Sequence, residues 1–378
     1  MYLSNIGPTA HASRVMFLYW GRRGGVVPLT LQIAREVADN PACTVSISSS
    51  NERVNEFIGS GCRLFLIDTF SSNFGALLRS WHMPRLRRML IERLQADQIQ
   101  TVVTIMPHVW TPIMAPAIRQ AGIGYVTVIH DAHRHQGDAT AIVQNWILRE
   151  IGFADYVICL SRSVTEQLVE TRNVPREKLV TLFHPDLTLG EPATPHPPAP
   201  DSPLRLLFLG RILPYKGLGL LFDAIALLRA RGIPIKLSIC GEGDLSPFEE
   251  RIKIEGVEVI NRWLSDEEIG SLLPKFHAVA LSHIQASQSG VAAAALGSGV
   301  PVIANPVGGI RDQIEDGVTG ILSRAPTPSA FADAVVRLAH NPEIYASICS
   351  NIREARADRS TKRFLAQLNE RVLQNLRP

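Results

Sequence analysis

The sequence lacks the features that mark several large classes of protein. Its five cysteines are scattered without a C-x-x-C pair, which argues against a disulfide framework or a structural zinc site and favours a reducing cytoplasm. No run of about 18 apolar residues suits a membrane-spanning helix, and the first residues, MYLSNIGPTAHASR, contain no signal-peptide core. A net charge of +3 is too small to indicate nucleic-acid binding.

What is present indicates a globular chain, with 46% hydrophobic and 19% charged residues. Its 378 residues suffice for two domains. Short β-branched segments alternate with helical patterns such as 29–39, 163–172 and 219–232, which predicts parallel sheets covered by helices on both faces. We expect strands at 15–20, 44–50, 63–70, 101–106, 125–131, 156–161, 180–184, 204–210, 235–241, 257–261, 278–282 and 301–306.

A proline-rich segment separates the two halves of this pattern. The stretch EPATPHPPAPDSP over 191–203 contains six prolines, which exclude a helix or a central strand and favour a stiff linker. We therefore predict two Rossmann-like domains, over 1–190 and 204–360, and a C-terminal helix over 361–378 that packs back on the first. Ligands of open α/β sheets bind beyond the carboxyl ends of strands, so the cleft between the domains is the expected site.

Two cations follow the first predicted strand of the second half. In LLFLGRILPYKGLGLL (206–221), Arg211 and Lys216 lie in the turn between a strand and a helix. When they lie this near to each other, an arginine with its planar fork of donors and a lysine with its point charge can together neutralise a diphosphate. A pair of solvated surface cations is the alternative.

Three further motifs follow in order: GEG at 241–243, ALGSGVPVIA at 295–304 and VGGIRDQIEDGVTG at 307–320. Together with the Arg211–Lys216 turn, they resemble the carboxyl half of retaining glycosyltransferases of family four (group 1), over about 203–340. The resemblance implies the α/β GT-B fold, in which two Rossmann-like domains face each other across a cleft. It also implies transfer of a sugar from a nucleoside-diphosphate sugar to an acceptor hydroxyl, with retention, without a metal or other cofactor.

The same resemblance implies roles for individual residues. Arg211 and Lys216 would stabilise the departing diphosphate, and His130, in VIHDAHRH (128–135), would face the donor sugar near the reacting carbon. A packed histidine, or a metal cluster of His130, Asp131, His133 and His135, is the alternative. The residues expected to bind the donor or its diphosphate are Gly24, Gly25, Gln288, Ser289, Gly290, Gly308 and Gly309, and those expected at the nucleoside or ribose are Glu242 and Arg262.

One departure from the family pattern concerns its two glutamates, which are separated by seven residues. Their places fall on Ala286 and Ala294, within a stretch that has no Asp, Glu, Lys or Arg between Lys275 and Arg311. The run QSGV (288–291) opens the helix there, and a helix N-terminus offers amides to a phosphate. We expect Ser289 and Gly290 to donate backbone amides, with Gln288 contacting the sugar or ribose. A capping serine before a core helix is the alternative.

The segment LLRSWHMPRLRRMLIERLQ (77–95) alternates arginines with apolar residues. This pattern favours a helix in peripheral contact with an anionic membrane, such as the inner face of the plasma membrane. The resemblance implies that the amino domain holds the acceptor, so this position fits a carbohydrate or lipid-linked acceptor. An ordinary surface helix with buried leucines explains it equally well.

Two rival functions remain open from the sequence. A catalytically silent relative, which binds nucleotide sugar or acts as an assembly partner, would explain the missing glutamates. An NAD-type dehydrogenase would also use two Rossmann-like halves, but GRRGGVV (21–27) lacks the Gly-x-Gly-x-x-Gly spacing that this chemistry predicts.

Overall fold

The computed structural model describes residues 13–70, 82–133, 143–192, 197–199 and 202–376. Before the proline-rich segment, seven strands form one parallel sheet: β1 (Val15–Tyr19), β2 (Cys43–Ser48), β3 (Leu64–Ile67), β4 (Thr101–Thr104), β5 (Gly124–Ile129), β6 (Tyr156–Cys159) and β7 (Leu179–Thr181). Their order in the sheet is β3-β2-β1-β4-β5-β6-β7.

After the proline-rich segment, six strands form a second parallel sheet: β8 (Leu204–Leu209), β9 (Ile235–Cys240), β10 (Val257–Ile260), β11 (Ala278–Leu281), β12 (Val302–Ala304) and β13 (Gly320–Leu322). Their order is β10-β9-β8-β11-β12-β13. The predicted fold class, two Rossmann-like α/β domains, is confirmed. Each predicted strand overlaps an observed one, whereas the three-residue strand β13 was not predicted.

Helices connect the strands and cover both sheets. Every residue of β1, β2 and β11 is buried, as expected for parallel strands enclosed on both faces. The described helices are α1 (Val26–Glu36), α2 (Val54–Gly59), α3 (Met83–Ala96), α4 (Thr111–Gln120), α5 (Gln144–Ile147), α6 (Arg162–Arg172), α7 (Leu218–Ala230), α8 (Glu249–Ile252), α9 (Asp266–Leu272), α10 (Gly290–Gly297), α11 (Ile310–Gln313), α12 (Pro328–Ala339), α13 (Pro342–Glu354) and α14 (Thr361–Arg371).

The chain passes between the two sheets twice, and the two crossings are tied together. Arg359 forms two charge-assisted hydrogen bonds of 2.9 Å with the carboxylate of Asp186. Beyond Arg359, α14 packs against α1, and the ring of Phe364 contacts that of Phe183 edge to face. The helix α14, which follows the second sheet in the chain, therefore belongs to the layer of helices that covers the first sheet.

Of the helices that the structure describes, none combines the length and the apolarity needed to cross a membrane. The basic segment predicted over 77–95 is described only from His82 onward. In α3, Met83 and the three leucines are buried against the first sheet's core, while Arg85, Arg87, Arg88 and Met89 are exposed.

Candidate active site

The turn that carries Arg211 is built by close contact between two loops at the carboxyl ends of β8 and β9. The N–H of Ile212 donates to the carbonyl of Glu242 over 2.9 Å. A Cβ on Gly241 would lie 2.1 Å from the carbonyl oxygen of Gly210, so a side chain cannot be accommodated there. The glycines of the GEG motif therefore bring the two loops together, which places the exposed Arg211 at the strand edge.

Lys216 ends a short 3-10 helix, Pro214–Lys216, in the same turn. Its Nζ lies 2.9 Å from Nε2 of His283 and 5.3 Å from the centre of the Tyr215 ring. Burial, together with the nearby charge of Arg211, lowers the pKa of Lys216 to about 8, and Asp131 acts in the opposite direction. The cation is held in a partly buried position, where its charge acts more strongly than in water.

The ends of the two sheets face each other here: the hydroxyl of Ser161, after β6, donates to the carbonyl of Ser287, after β11, over 2.9 Å, and Asp131 favours the charged form of Lys216. Asp131 follows His130, which is 6% exposed at the end of β5. Nε2 of His130 lies 2.8 Å from the carbonyl oxygen of Ile105, and burial lowers the pKa of the ring. Nε2–H must donate to that carbonyl, and because burial favours the neutral form, Nδ1 is left as an acceptor.

The histidines near this point do not form a metal centre in the part of the chain that the structure describes. No three His, Cys, Asp or Glu side chains among those residues are grouped to hold an ion. His130 and Asp131 are described, and His135 of the hypothetical cluster lies outside the described residues.

The first glycine loop leaves room at the cleft. Gly24 has a φ of +119°, and a Cβ on either Gly24 or Gly25 would meet no atom within 4 Å. The preceding Arg23 places its guanidinium 5.5 Å from the centre of the Trp263 ring, in the second half of the chain. The loop therefore touches the second domain while its two glycines leave space open, as a donor or acceptor would require.

Ser289 does not offer its backbone amide to a ligand. Its N–H donates to Oε1 of Gln313 over 2.6 Å, and its carbonyl accepts from Nε2 of the same side chain. Its hydroxyl caps α10 by accepting from the N–H of Ala292. The prediction of a phosphate contact through this amide is thus wrong, because Gln313 already occupies the group.

The neighbours of Ser289 remain candidates for the donor site. The N–H of Gly290 lies in the first turn of α10, where the helix itself provides no acceptor. The side chain of Val291 approaches to 3.4 Å from the Cβ position of Gly210, which places this helix end beside the Arg211 turn. Oε1 of Gln288 is buried and has no hydrogen-bond partner among the described residues. This fits an acceptor that would receive its hydrogen bond from a bound ligand.

Gly308 and Gly309 are crowded by protein rather than open to a ligand. A Cβ on Gly308 would lie 1.6 Å from the carbonyl oxygen of Ala286, and one on Gly309 would lie 1.9 Å from that of Ser287. The same position on Gly309 is 2.6 Å from the side chain of Ser161, in the first domain. Packing is what requires glycine at both places, and contact with a donor stays a prediction.

The two glutamate places of the family pattern are filled by small buried side chains. Ala286 is 8% and Ala294 4% exposed. Of the two residues predicted at the nucleoside, Glu242 is exposed and Arg262 forms a two-pronged ion pair with Glu268, with distances of 3.0 and 2.6 Å. Both lie beyond strand ends of the second sheet, and their roles stay predictions.

Three polar residues of this region were not singled out from the sequence. His283 contacts Lys216, Gln313 holds Ser289, and Asn305 donates to the carbonyls of Ser282 and His283 over 3.0 and 3.1 Å. Their partners are remote in the chain, so no local spacing marks them.

Comparisons with known proteins agree with this geometry. The model described as Glycosyltransferase Family 4 matches residues 23–185, and that described as Glycosyl transferases group 1 matches residues 203–341. A D-inositol 3-phosphate glycosyltransferase of Actinosynnema mirum is 35% identical over 185 residues, which cover 44% of each chain. The amylovoran biosynthesis glycosyltransferase AmsK of Erwinia amylovora is 29% identical over 45% of this chain and 46% of that one. The chain thus spans less than half the length of these curated relatives.

Solved structures show the same fold. HepE of Anabaena, in complex with UDP-glucose, superposes with a TM-score of 0.72 at 16% identity, over 96% of this chain and 99% of that one. The dehydrogenase hypothesis is set aside, because glycosyltransferase models match both halves. On these matches and the two facing sheets, the chain belongs to the group 1, family four glycosyltransferases of GT-B fold.

Proposed function

We propose that this protein transfers a sugar from a nucleoside-diphosphate sugar to an acceptor hydroxyl, with retention, in the synthesis of a polysaccharide or glycolipid. The glycosyltransferase models over both halves support the reaction class. The likeness to AmsK supports a polysaccharide product, since that relative is named for amylovoran biosynthesis. HepE binds UDP-glucose, which makes UDP the first nucleotide to test.

The observation that carries the proposal is the pair of cations at the carboxyl edge of β8. Arg211 is exposed, whereas Lys216 is held partly buried and faces Asp131 across the cleft. When the bond from sugar to phosphate breaks, negative charge grows on the departing diphosphate. Fixed cations at that place stabilise the transition state without having to reorganise.

The proposed acceptor is a carbohydrate or a lipid-linked carbohydrate, and α3 offers a way to approach a membrane. Its exposed Arg85, Arg87 and Arg88 can attract anionic lipids. Because its leucines are buried in the core, only Met89 among its large apolar side chains is strongly exposed. The contact we propose is therefore electrostatic and peripheral, and it should weaken as salt increases.

The second candidate function is a silent relative that binds nucleotide sugar without turnover. The buried Ala286 and Ala294 favour it, because neither can hold a sugar or ribose hydroxyl. Hydrogen bonds to charged groups contribute roughly 1.5–3 kcal/mol each, or about tenfold to a hundredfold in binding. Both diphosphate cations are retained, so we favour the active enzyme.

A nucleotide panel of UDP, GDP, ADP and TDP, followed by thermal unfolding and then by donor hydrolysis, tests the proposal. We expect saturable stabilisation by one nucleoside diphosphate, lost in Arg211→Ala and in Lys216→Ala. Arg229→Ala is the matched control, because the side chain of this half-buried arginine of α7 bonds only to the carbonyl of Glu255 among the contacts described. Stabilisation by no diphosphate would contradict the proposal, and tight binding without hydrolysis or transfer would identify the silent relative.

A further inference from the structure

We propose that His283 is a positioning residue for Lys216: it holds the ammonium group through a neutral acceptor, so that the whole positive charge stays available to the donor's diphosphate. This inference rests on the proposed function. It assigns a role to a residue that the family pattern does not mark, inside the stretch that lacks the family's glutamates.

The contact between the two side chains is well defined. Nζ of Lys216 and Nε2 of His283 are 2.9 Å apart, a normal hydrogen-bond length. A lysine ammonium has only donors, so Nε2 must be the acceptor. The imidazole is 2% exposed, and its ring lies edge to face against Tyr215, with centres 6.2 Å apart.

The backbones of both residues are held in register. The hydroxyl of Ser282 donates to the carbonyl of Lys216 over 3.1 Å, and the N–H of Ile284 donates to that of Tyr215 over 2.9 Å. Gly217 makes this approach possible, since a Cβ there would lie 2.1 Å from the carbonyl oxygen of Ser282.

A second set of hydrogen bonds holds the backbone around His283. The amide of Asn305 donates to the carbonyls of Ser282 and His283, and Ser323 donates to the Oδ1 of Asn305 over 2.7 Å. The backbone of neither Lys216 nor His283 can therefore move far without breaking several hydrogen bonds.

The chemistry of the partner matters as much as its place. A glutamate here would form an ion pair with Lys216, cancel its charge and repel a diphosphate. A neutral imidazole fixes the direction of one of the three N–H bonds of the Lys216 ammonium and leaves the other two for the ligand. The charged groups that face Lys216 are Arg211, from its own turn, and Asp131, from across the cleft; the Tyr215 ring lies beside it.

Three substitutions separate these effects, and the probe needs no nucleotide. Trace acetylation with acetic anhydride over a pH series, read by mass spectrometry, gives the pKa of Lys216 in the free protein. His283→Leu removes the acceptor, so the pKa should fall. His283→Glu adds a negative charge, so it should rise. His283→Gln keeps a neutral acceptor at a similar reach and should stay close to the wild type.

Affinity for the nucleoside diphosphate that stabilises the wild type should follow a different order. His283→Leu and His283→Glu should each weaken binding by roughly tenfold to a hundredfold, although they shift the pKa of Lys216 in opposite directions. His283→Gln should retain affinity within about threefold. A loss of general packing would not produce opposite pKa shifts, nor rescue by glutamine.

His277→Leu is the matched control. His277 is another buried histidine, 5% exposed, and its Nδ1 accepts from the N–H of Arg205 at the opposite end of β8. His277→Leu should change neither the pKa of Lys216 nor the affinity for the nucleoside diphosphate. An unchanged pKa in both His283→Leu and His283→Glu would overturn the positioning role. A wild type that binds no nucleoside diphosphate, yet shows the opposite pKa shifts, would contradict the proposed function while the pairing of His283 with Lys216 stands.

Discussion

Gly25 and Gly309 have nearly the same backbone, yet their surroundings are opposite. Each caps a helix, with φ and ψ of −64° and −10° at Gly25 and −72° and −4° at Gly309. A Cβ on Gly25 would meet nothing within 4 Å, whereas one on Gly309 would lie 1.9 Å from a carbonyl oxygen. Glycine therefore leaves space for a ligand on the first side of the cleft, and on the second side it lets the protein close upon itself.

The buried ionisable groups differ in the same way. Below the first sheet's edge, Glu150 is fully buried and accepts hydrogen bonds from the hydroxyls of Thr111 and Thr127. Burial raises the pKa of this carboxyl to about 7, against the lowering effect of those hydrogen bonds. On the second side, Lys216 keeps a cation at the cleft. On the first side, Gly25 thus borders open space and the buried Glu150 is favoured in its neutral form, whereas on the second side Gly309 is closely packed and Lys216 supplies a cation.

The largest effect should come from adding one methyl group to each capping glycine. Gly309→Ala should lower the free energy of unfolding by about 3 kcal/mol, because the Cβ overlaps the Ser287 carbonyl and the Ser161 side chain. Gly25→Ala should cost less than about 1 kcal/mol, which is the loss expected at a helix cap alone. Urea denaturation of both variants measures the difference.

Nucleotide affinity is the second measurement to make on these two variants. Gly25→Ala should weaken donor or acceptor binding while its stability is nearly unchanged, if the open space belongs to the ligand. Equal loss of stability in the two variants would show that the contrast between the glycines is wrong.

The next effect is the pH dependence set by Glu150. Its pKa is higher in the folded than in the unfolded protein, so the folded state binds more protons between pH 4.5 and 7. Stability should therefore decrease as pH rises through this window, by up to about 3 kcal/mol. Glu150→Gln stays neutral, so the fall should be smaller in this variant by thermal unfolding between pH 5 and 8. The same slope in both proteins would contradict the assignment.

A smaller effect is expected at Ser161, where the packed side meets the first domain. Its hydroxyl caps α6 by accepting from the N–H of Val164, and it donates to the carbonyl of Ser287 over 2.9 Å. Ser161→Ala should cost about 1–2 kcal/mol of stability. Ser265→Ala, in the capping box of α9, is the matched control that loses a cap without this contact between the domains. A cost no greater than that of the control would show that the Ser287 contact contributes nothing.

The smallest effect concerns the charge of Lys216. With a pKa of about 8, the free protein loses this cation as pH rises, whereas a bound diphosphate favours the charged form. Affinity for the nucleoside diphosphate should fall roughly tenfold between pH 7 and pH 9. Asp131→Asn should move the fall to lower pH, because Asp131 raises the pKa of Lys216 from across the cleft. Isothermal titration at several pH values tests both, and Lys216→Arg, which stays charged, should show no such fall.

Much of the fold could be predicted because its signals are local. Buried parallel strands form short apolar runs, and five of the six residues in each of β8 and β9 are buried. The strand β13 escaped prediction because its three residues, Gly320–Leu322, begin with a glycine after a glycine-rich turn, whereas the equally short β7 and β12 overlap longer segments that were predicted at 180–184 and 301–306. A segment that short has no measurable period.

The site was harder to predict than the fold. Arg211 and Lys216 stand in one turn, so their spacing is visible in the sequence. The contact between Lys216 and His283 spans 67 residues and that between Ser289 and Gln313 spans 24, so only the folded chain reveals them. Glycines that make room for a ligand also look the same in sequence as glycines pressed against backbone, so the crowding of Gly308 and Gly309 was not visible in the sequence.

The packing of α14 on α1 has a consequence for how the protein folds during its synthesis on the ribosome. The second sheet is built from one continuous stretch, β8 to β13, and can close as soon as it emerges. The first sheet has been synthesised by then, but the face of α1 against which α14 packs stays uncovered until α14 follows. The half of the molecule that is made first is therefore completed last, when α14 packs on α1.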